Sequence, residues 1–364
     1  MACFFDDQYS MVLGPMIRSQ IHRFDDVVRQ VIDTSLIPRG DTFTIGDYGC
    51  YNGFSSQEIL EYIVGSLKQE CGEEIPVHII YEDQNSNDYN ALIQTVCSNG
   101  KVSINHPKVY MSMCPTSFHE QCVPDNTFHL LLCFWSAHYL SNSVSYKDSL
   151  LTFPDGTQDE VNAVVTQAFD EWQQFLLKRA NEIKHGGSMM LIVPAEDRER
   201  KYGQSRVHLQ NMWAAMTSVW RLFRDTDLIT ECEYEAANYS GYYRSEEELR
   251  APFCDEASPV VKAGLRIKSL ELSHHEPYSM KPMENTKEEN GGKEDIETSV
   301  ARFVCTIRSW TEHIFLQALS SRSRKSRRHV VNTFYDRLLE HLKQQDMSNC
   351  GWNNIIAYIV ITKK

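Results

Sequence analysis

Apolar residues recur at helical spacing over residues 17–36, through Ile21, Phe24, Val27, Val28, Val31 and Ile32, and the run stops at Pro38 and Gly40; this predicts a helix. Next comes TFTIGDYGC, a short apolar run ending in an acid and a glycine, the pattern of a buried strand entering a tight turn. Residues 56–69 return to helical period through Ile59, Leu60, Ile63, Val64 and Leu67. The pattern recurs: residues 77–81 are apolar and end in Glu82 and Asp83, and residues 89–96 read as the following helix. Residues 128–133 form another apolar run. A long amphipathic helix is predicted over residues 161–183, with Val165, Phe169, Trp172, Phe175, Leu176 and Ala180 on one stripe. Gly186 and Gly187 stop it before a strand at 188–193. Strands alternating with helices predict an α/β fold with a parallel sheet and right-handed crossovers.

After Pro194 the regularity weakens, which is where an insertion sits. Residues 205–250 carry two helical stretches around the aromatic segment ANYSGYYRS, and residues 264–272 alternate like a strand. From 274 to 298 the chain is polar, charged and glycine-containing, and it is predicted to be a mobile surface loop. A helix over residues 331–343 and a strand, IIAYIVIT, close the chain; there is no internal repeat. The basic run SRSRKSRRH, residues 321–329, reads as a solvated linker between two helices, with anion binding or nuclear localisation as the alternative.

Length narrows the choices. A chain of 364 residues with 42% hydrophobic content buries a large core and exceeds a minimal α/β domain, so one enlarged domain with a cap, or two domains, is expected. A net charge of −13 supplies no broad footprint for nucleic acid or an anionic membrane. The first residues lack a basic stretch followed by an apolar run, and no segment reaches the roughly 18 apolar residues of a membrane span, so a cytoplasmic protein is expected. The 11 cysteines are scattered without metal-ligand spacing and read as reduced thiols, although Cys114 with Cys122, or Cys232 with Cys254, are pairs that could bridge. No metal site is expected.

Candidate chemistry centres on Ile45-Gly46-Asp47-Tyr48-Gly49-Cys50-Tyr51-Asn52-Gly53, at the carboxyl end of the first strand. Gly49 allows a tight turn and close approach of a ligand, and the helix from about Ser55 aims its free N–H groups into the same crevice. An acid in this turn, Asp47, pairs with a cationic amino-acid moiety. Asp83, ending the second strand, suits a ribose diol because a carboxylate accepts two hydroxyl donors at once. A plain strand-to-helix turn is the other reading of the same glycines.

The chain resembles the SABATH methyltransferases, the family of salicylate, benzoate and jasmonate carboxyl methyltransferases and of the caffeine-pathway N-methyltransferases. The family's blocks are similar, in the same order, to IGDYGCYNGFSS, to YEDQNSNDYNALI at residues 81–93, to Cys114-Pro115-Thr116-Ser117-Phe118, and to Trp135-Ser136-Ala137-His138-Tyr139-Leu140-Ser141. FDEWQQFLLKRANEIKHGGSMMLIV and the final helix and strand follow the family too. The resemblance covers nearly the whole chain and implies a Rossmann-like class I methyltransferase sheet with a helical cap. Residues 1–40 would lie over the active site, 41–200 form the cofactor core, 201–263 the cap, and 264–364 the rest of the sheet and cap. It implies that S-adenosyl-L-methionine is the methyl donor, with Ser19, Asp47, Gly49, Asp83, Gln84, Ser117 and Phe118 around it. Asp47 would face the methionine part, Asp83 the ribose, and Ser117 with Phe118 the adenine. Ser55 stands where the family has Asn.

The implied acceptor is a small molecule whose carboxylate is methylated. In the family a Gln and a Trp indole N–H hold that carboxylate; the matching positions are His22, three residues after Ser19 and so on its helical face, and Tyr139, both able to donate a hydrogen bond. A solvated helix histidine is the other reading of His22. Gln20 points off the shared face. Trp135 and His138 would line the pocket beside Tyr139, with Tyr239, Tyr242 and Tyr243 from the cap and Trp352 before the last strand as further walls or as ordinary core. Two alternatives stay open: an N-methyltransferase acting on a nitrogen heterocycle, and a catalytically silent relative that binds a metabolite. A homodimer is also left open.

Overall fold

The computed structural model describes residues 27–31, 41–98, 101–142, 150, 157–198, 206–279, 296–344 and 351–364. Ser19, His22 and most of the predicted first helix lie outside them; residues 27–31 are helical and bury Val27, Val28 and Val31 in the cluster that also holds Ile45 and Ile59. Strands and helices then alternate as the hydrophobic pattern requires. Strand β1 (Phe43–Tyr48) leads into α1 (Phe54–Cys71), and β2 (Val77–Glu82) into α2 (Tyr89–Val96). After β3 (Val109–Cys114) and β4 (Phe128–Phe134) come α3 (Gln158–Glu182) and β5 (Ile183–Glu196). Next are α4 (Arg206–Asp225) and the short helices α5 (Glu231–Glu235), α6 (Glu246–Arg250) and α7 (Pro259–Lys262). The chain ends with β6 (Leu265–Ser279), α8 (Ile296–Ala318), α9 (Arg324–Lys343) and β7 (Gly351–Lys363).

These strands form one eight-stranded sheet with the path β3-β2-β1-β4-β5-β7-β6, and Arg244–Ser245 is its eighth strand, beside β5. Strands β1 to β5 are parallel, whereas β7 is antiparallel to both β5 and β6. The winding reverses between β1 and β4, and the crevice outside the carboxyl ends of two such strands is where doubly wound sheets bind ligands. Burial on both faces explains the unbroken apolar runs: Leu130, Leu132 and Phe134 join the cluster under α1, while Leu131 and Cys133 pack with Trp172 and Phe175 of α3. A separate core of Trp213, Trp220, Phe303, Phe315 and Phe334 belongs to α4, α8 and α9, and it makes the cap.

Several boundaries differ from the sequence pattern. Strand β3 is unpredicted because VYMSMC is a half-exposed edge, held by its pairing with β2. Helix α8 begins inside the expected loop, and β6 runs to Ser279 because His275 and Tyr278 pair with Asn354 and Trp352. Residues 280–295 lie outside the described ones. The basic run is no linker: residues 324–329 are the first turns of α9, where Ser323 accepts from the Ser326 amide at 3.3 Å and Arg322 bonds Glu233 at 2.6 Å. Phe169 is 44% exposed, since the buried line of α3 runs through Val164, Ala168, Trp172 and Phe175.

Two local features hold the sheet edge in shape. Arg179 and Glu182 of α3 form an ion pair at 2.6 Å with no exposed side-chain surface. Arg179 also donates to the carbonyls of Phe118 and Glu120, each at 2.7 Å, while Glu182 accepts from the Tyr48 hydroxyl at 3.0 Å and the Cys122 amide at 2.5 Å. The second feature is the turn after β1, with φ of 64° at Gly49, 50° at Tyr51 and 77° at Gly53. The Glu82 carboxylate accepts from the Gly49 amide at 3.0 Å, that of Asp83 accepts from the Tyr51 amide at 2.7 Å, and the Ser136 hydroxyl donates to the Gly49 carbonyl at 3.1 Å.

Breaking the buried pair leaves an uncompensated charge, so Glu182→Gln and Arg179→Met should each lower unfolding stability by about 3–5 kcal/mol in urea titrations. A loss near zero in either would show that the pair does not clamp the edge. At Gly49 a Cβ would meet the Ser136 hydroxyl as well as a positive φ. Gly49→Ala should therefore lose about 1–3 kcal/mol, and adding Ser136→Gly should restore only part, since the backbone strain remains.

Candidate active site

Strand order places the predicted cofactor residues on one edge. Asp47 and Gly49 follow from β1, Asp83 and Gln84 from β2, and Ser117 and Phe118 from β3. Asp47 is buried, and the loss of hydration pushes its carboxyl up to about 7, while a hydrogen bond from the Ser56 hydroxyl at 2.5 Å works against that rise and the nearby Asp83 adds to it. A desolvated acid in this state gains from a cation, which restores its charged form. Ser56, one residue past the predicted Ser55, makes this contact; Ser55 is half-buried on the first turn of α1. Helix α1 has Gly53 at its N-cap, which offers no side chain, and its first amide, that of Phe54, is taken by the Asn52 side-chain oxygen at 3.2 Å.

Asp83 is half-buried and accepts from the amides of Tyr51 and Gln84, the latter at 2.8 Å; burial raises its pKa and these bonds lower it. Its neighbour Glu82 has no exposed surface, is pushed up to about 9 by burial, and has one carboxyl oxygen without a partner. Glu82 is a fixture of the turn, Asp83 the acid that meets solvent. Gln84 is exposed. Beyond β3, the Ser117 hydroxyl accepts from the His119 amide at 3.3 Å, and the Phe118 ring lies edge-on to Phe175 with centroids 6.0 Å apart. Two acids, a glycine turn and an aromatic ring on one edge fit a nucleoside that carries an amino-acid cation.

The segment after β4 faces the cap. Trp135 has φ 61°, is half-buried, and its indole nitrogen lacks a partner. His138 is buried and pushed down to about 3 by desolvation and then by Arg244, so it is neutral; its Nε2 lies 3.0 Å from the Tyr239 hydroxyl. That hydroxyl also reaches Tyr243 at 3.3 Å and bonds Tyr139. Tyr139 packs against His138 with the rings tilted and centroids 4.3 Å apart, and burial raises the pKa of its phenol. Tyr242 points elsewhere: its hydroxyl donates to Glu248 at 2.7 Å, because successive residues of this extended segment face opposite ways. Trp352 starts β7 at this same edge, and its side chain is outside the described atoms.

His313 of α8 is a site residue that the sequence pattern did not single out. Its ring is accessible and 6.3 Å from that of Tyr139, yet surrounding protein pushes its pKa down. Burial lowers its pKa although the residue stays accessible, and its ring faces that of the half-buried Tyr139 at the margin of the cap. Trp213 of α4 and Trp310 of α8 pack on Tyr239 at 5.0 and 6.1 Å and close the recess from the cap side. The helical period of α8 was the available signal for His313.

Known proteins match this architecture. A family profile described as SAM dependent carboxyl methyltransferase matches residues 10–364. Loganic acid O-methyltransferase of Catharanthus roseus is 26% identical over 220 residues, 57% of each chain, and salicylate carboxymethyltransferase of Clarkia breweri is 24% identical over 69% of this chain and 72% of its own. The matched stretch thus spans only a little over half of the loganic acid enzyme, and about half, 50% and 52%, of two probable S-adenosylmethionine-dependent methyltransferases of Arabidopsis thaliana. A solved loganic acid methyltransferase with SAH superposes with a TM-score of 0.74 over 98% of this chain and 95% of that one, at 19% identity, and so shares the fold. With the profile covering almost every residue, this chain belongs to the SAM-dependent carboxyl methyltransferase family.

Proposed function

We propose that this protein methylates the carboxylate of a small molecule, using S-adenosylmethionine, to give its methyl ester. The observation that carries the reading is the pairing, across one switch-point crevice, of an acidic turn with a recess of neutral hydroxyls and imidazoles. The matched relatives named for loganic acid and salicylate support a carboxylic acid as acceptor. Residues 41–200 would serve as the cofactor core, and the cap from 201–263 and the later helices would close over the acceptor. The acidic net charge of −13 favours a small acceptor over nucleic acid. The described cysteines are all free, and among the described residues no helix is long and apolar enough to cross a membrane.

Asp47 would hold the ammonium of the cofactor, Asp83 and Gln84 its ribose, and Ser117 with Phe118 its adenine, while Ser19, Gly49 and Ser55 complete the cradle. When bound, the cofactor would supply an electrophilic methyl group to the acceptor oxygen, the S–C electron pair going to sulfur, with no proton to be moved. A carboxylate is already charged at neutral pH, so the protein's task is to position it and exclude water. Tyr139 donates one hydrogen bond and His22 the second. Trp135, His138 and Tyr239 fix the walls, with Trp352 at their margin. A specific observation favours a second reading: His313 is a neutral, reachable imidazole, which could accept the proton that a nitrogen heterocycle must lose.

A labelled methyl-transfer screen over carboxylic acids and nitrogen heterocycles decides between them. Base-labile label on acids is expected, whereas label confined to heterocycles would sink the ester reading. Tyr139→Phe should lower kcat/KM about ten- to a hundredfold with SAH affinity unchanged, the loss of one hydrogen bond to a charged group.

Asp47 generates a pH test. In the free protein it is neutral below about 7 and charged above. Because the bound cation requires the carboxylate, binding below pH 7 must release a proton. SAH affinity should then fall about tenfold per unit as pH drops from 7 to 5 and level off above 7. Asp47→Asn should flatten this profile, and Ser56→Ala should move its midpoint upward; titration calorimetry that shows no proton release at pH 6 would refute the assignment.

A further inference from the structure

Arg244 is a buried cation held by neutral groups. It is 5% exposed, in the short strand beside the tip of β5. Its Nη1 donates to the Ala137 carbonyl at 3.1 Å and its Nη2 to the Ala168 carbonyl at 2.7 Å, while its Nε has no partner. The rings of Trp172 and Tyr242 lie 5.5 and 5.9 Å from the guanidinium carbon. Arg179, by contrast, meets Glu182 at 2.6 Å. Two acids act on Arg244 from a distance, Glu248 and Glu171. Glu248 is engaged with Arg198 at 2.8 Å, and Glu171 with Ser141 at 2.6 Å and with His119 at 3.7 Å. Desolvation outweighs them and pushes Arg244 down to about 10, still charged at pH 7.

A buried charge without a close counter-ion destabilises a fold, so its presence calls for an offset. Its location suggests one. Ala137 lies between Ser136, bonded to the Gly49 turn, and His138, which faces Tyr139 and Tyr239. The charge reaches that wall, because it helps hold the pKa of His138 down.

We propose that Arg244 sets the charge of the acceptor: its guanidinium, fixed behind Ala137 by neutral groups, selects an anionic small molecule in the recess beside Tyr139 over a neutral one of the same shape. This rests on the acceptor site proposed above. Arg244 acts by its field and is a positioning residue, since its Nη groups are spent on the Ala137 and Ala168 carbonyls. The acceptor's negative charge is complete in the bound substrate and fades as the ester forms. Arg244 therefore stabilises the bound acid more than the transition state, which lowers KM without raising kcat. Unit charges about 8–10 Å apart at an effective dielectric constant of about 20 differ by roughly ten- to thirtyfold in binding.

The test uses the full chain, labelled S-adenosylmethionine, a carboxylic acid that the wild type methylates, and the neutral primary amide of that acid as a competing ligand. Arg244→Gln keeps a donor for the carbonyls and removes the charge. It should raise KM for the acid about ten- to thirtyfold, leave kcat equal or higher, and leave both the amide's inhibition constant and SAH affinity within about twofold. Its melting temperature should hold or rise, as a desolvated charge has gone. Arg244→Lys, with the charge kept, should stay within a few-fold of wild type for the acid. An unchanged KM for the acid in Arg244→Gln overturns the proposal, as does equal weakening of acid and amide. Failure of both Arg244→Gln and Arg244→Met to fold and bind SAH also overturns it, by assigning Arg244 to the scaffold. If the wild type methylates no carboxylic acid, it is the proposed function that has failed.

Discussion

The cofactor edge depends on two opposite charges that water does not reach. Arg179 and Glu182 stand three residues apart on α3 with no exposed side-chain surface, and removing each from water opposes folding by several kcal/mol. Their attraction alone does not offset this. The remaining donors and acceptors do, because each is bound to a different part of the edge: the end of β1 through Tyr48, the loop after β3 through the carbonyls of Phe118 and Glu120 and the amide of Cys122. The same pair therefore sets the separation between the β1 turn and the Ser117-Phe118 loop. A sheet fixes strands but not the loops beyond them, and here the positions of those loops follow from an ion pair in the layer beneath.

Above that clamp, burial separates three neighbouring acids into distinct roles. Glu82, fully enclosed and bonded to the Gly49 amide, is pushed to about 9 and behaves as a neutral strut. Asp47, with the Ser56 hydroxyl to stabilise its anion, sits near 7 and is poised to ionise when a cation arrives. Asp83 accepts two backbone amides and meets solvent, where it can take hydroxyl donors. One cluster thus avoids three adjacent negative charges in the free protein, which would repel one another in a poorly hydrated turn.

The fold was legible where physics is local. The turn at Gly49 reads from sequence because positive φ and lack of room for a Cβ both demand glycine there, and the strands β1, β2, β4 and β5 read as apolar runs because both faces of the sheet are covered. Strand β3 did not, since an edge strand needs only a partner's hydrogen bonds and its side chains stay half-exposed. Helix α8 was hidden by the polar stretch before it. In the site, Asp47 and Asp83 stand beside readable turns, and Ser56 meets Asp47 only nine residues away, whereas Arg244 and His313 act through partners far away in sequence. Arg179 and Glu182 look like ordinary solvated helix charges until the loop after β3 folds over them. The tyrosines 239, 242 and 243 are alike by composition; only the extended backbone, which sends Tyr242 to Glu248 and the others to His138 and Tyr139, tells them apart.

The hydroxyl cluster in the cap has a direction. His138 is neutral and carries a single ring proton, and only its Nε2 has a partner, the Tyr239 hydroxyl. Placing the proton on Nδ1 would bury an N–H with no acceptor, a rarer and more unfavourable arrangement than a bare lone pair, so the proton is assigned to Nε2. Tyr239 then accepts from His138, and its own proton can point to Tyr139 or Tyr243, both within reach. Whichever phenol receives it has its oxygen engaged and its proton free to turn toward the recess. Burial keeps both phenols protonated, so the wall presents a donor and no strong base. Such a wall suits an acceptor that arrives already deprotonated. On the proposed reading, with the Arg244 charge behind it, the recess would stabilise negative charge at two depths, a hydrogen bond in front and a fixed cation at the back. An acceptor nitrogen that must become more positive as it is methylated meets the same field with the opposite sign.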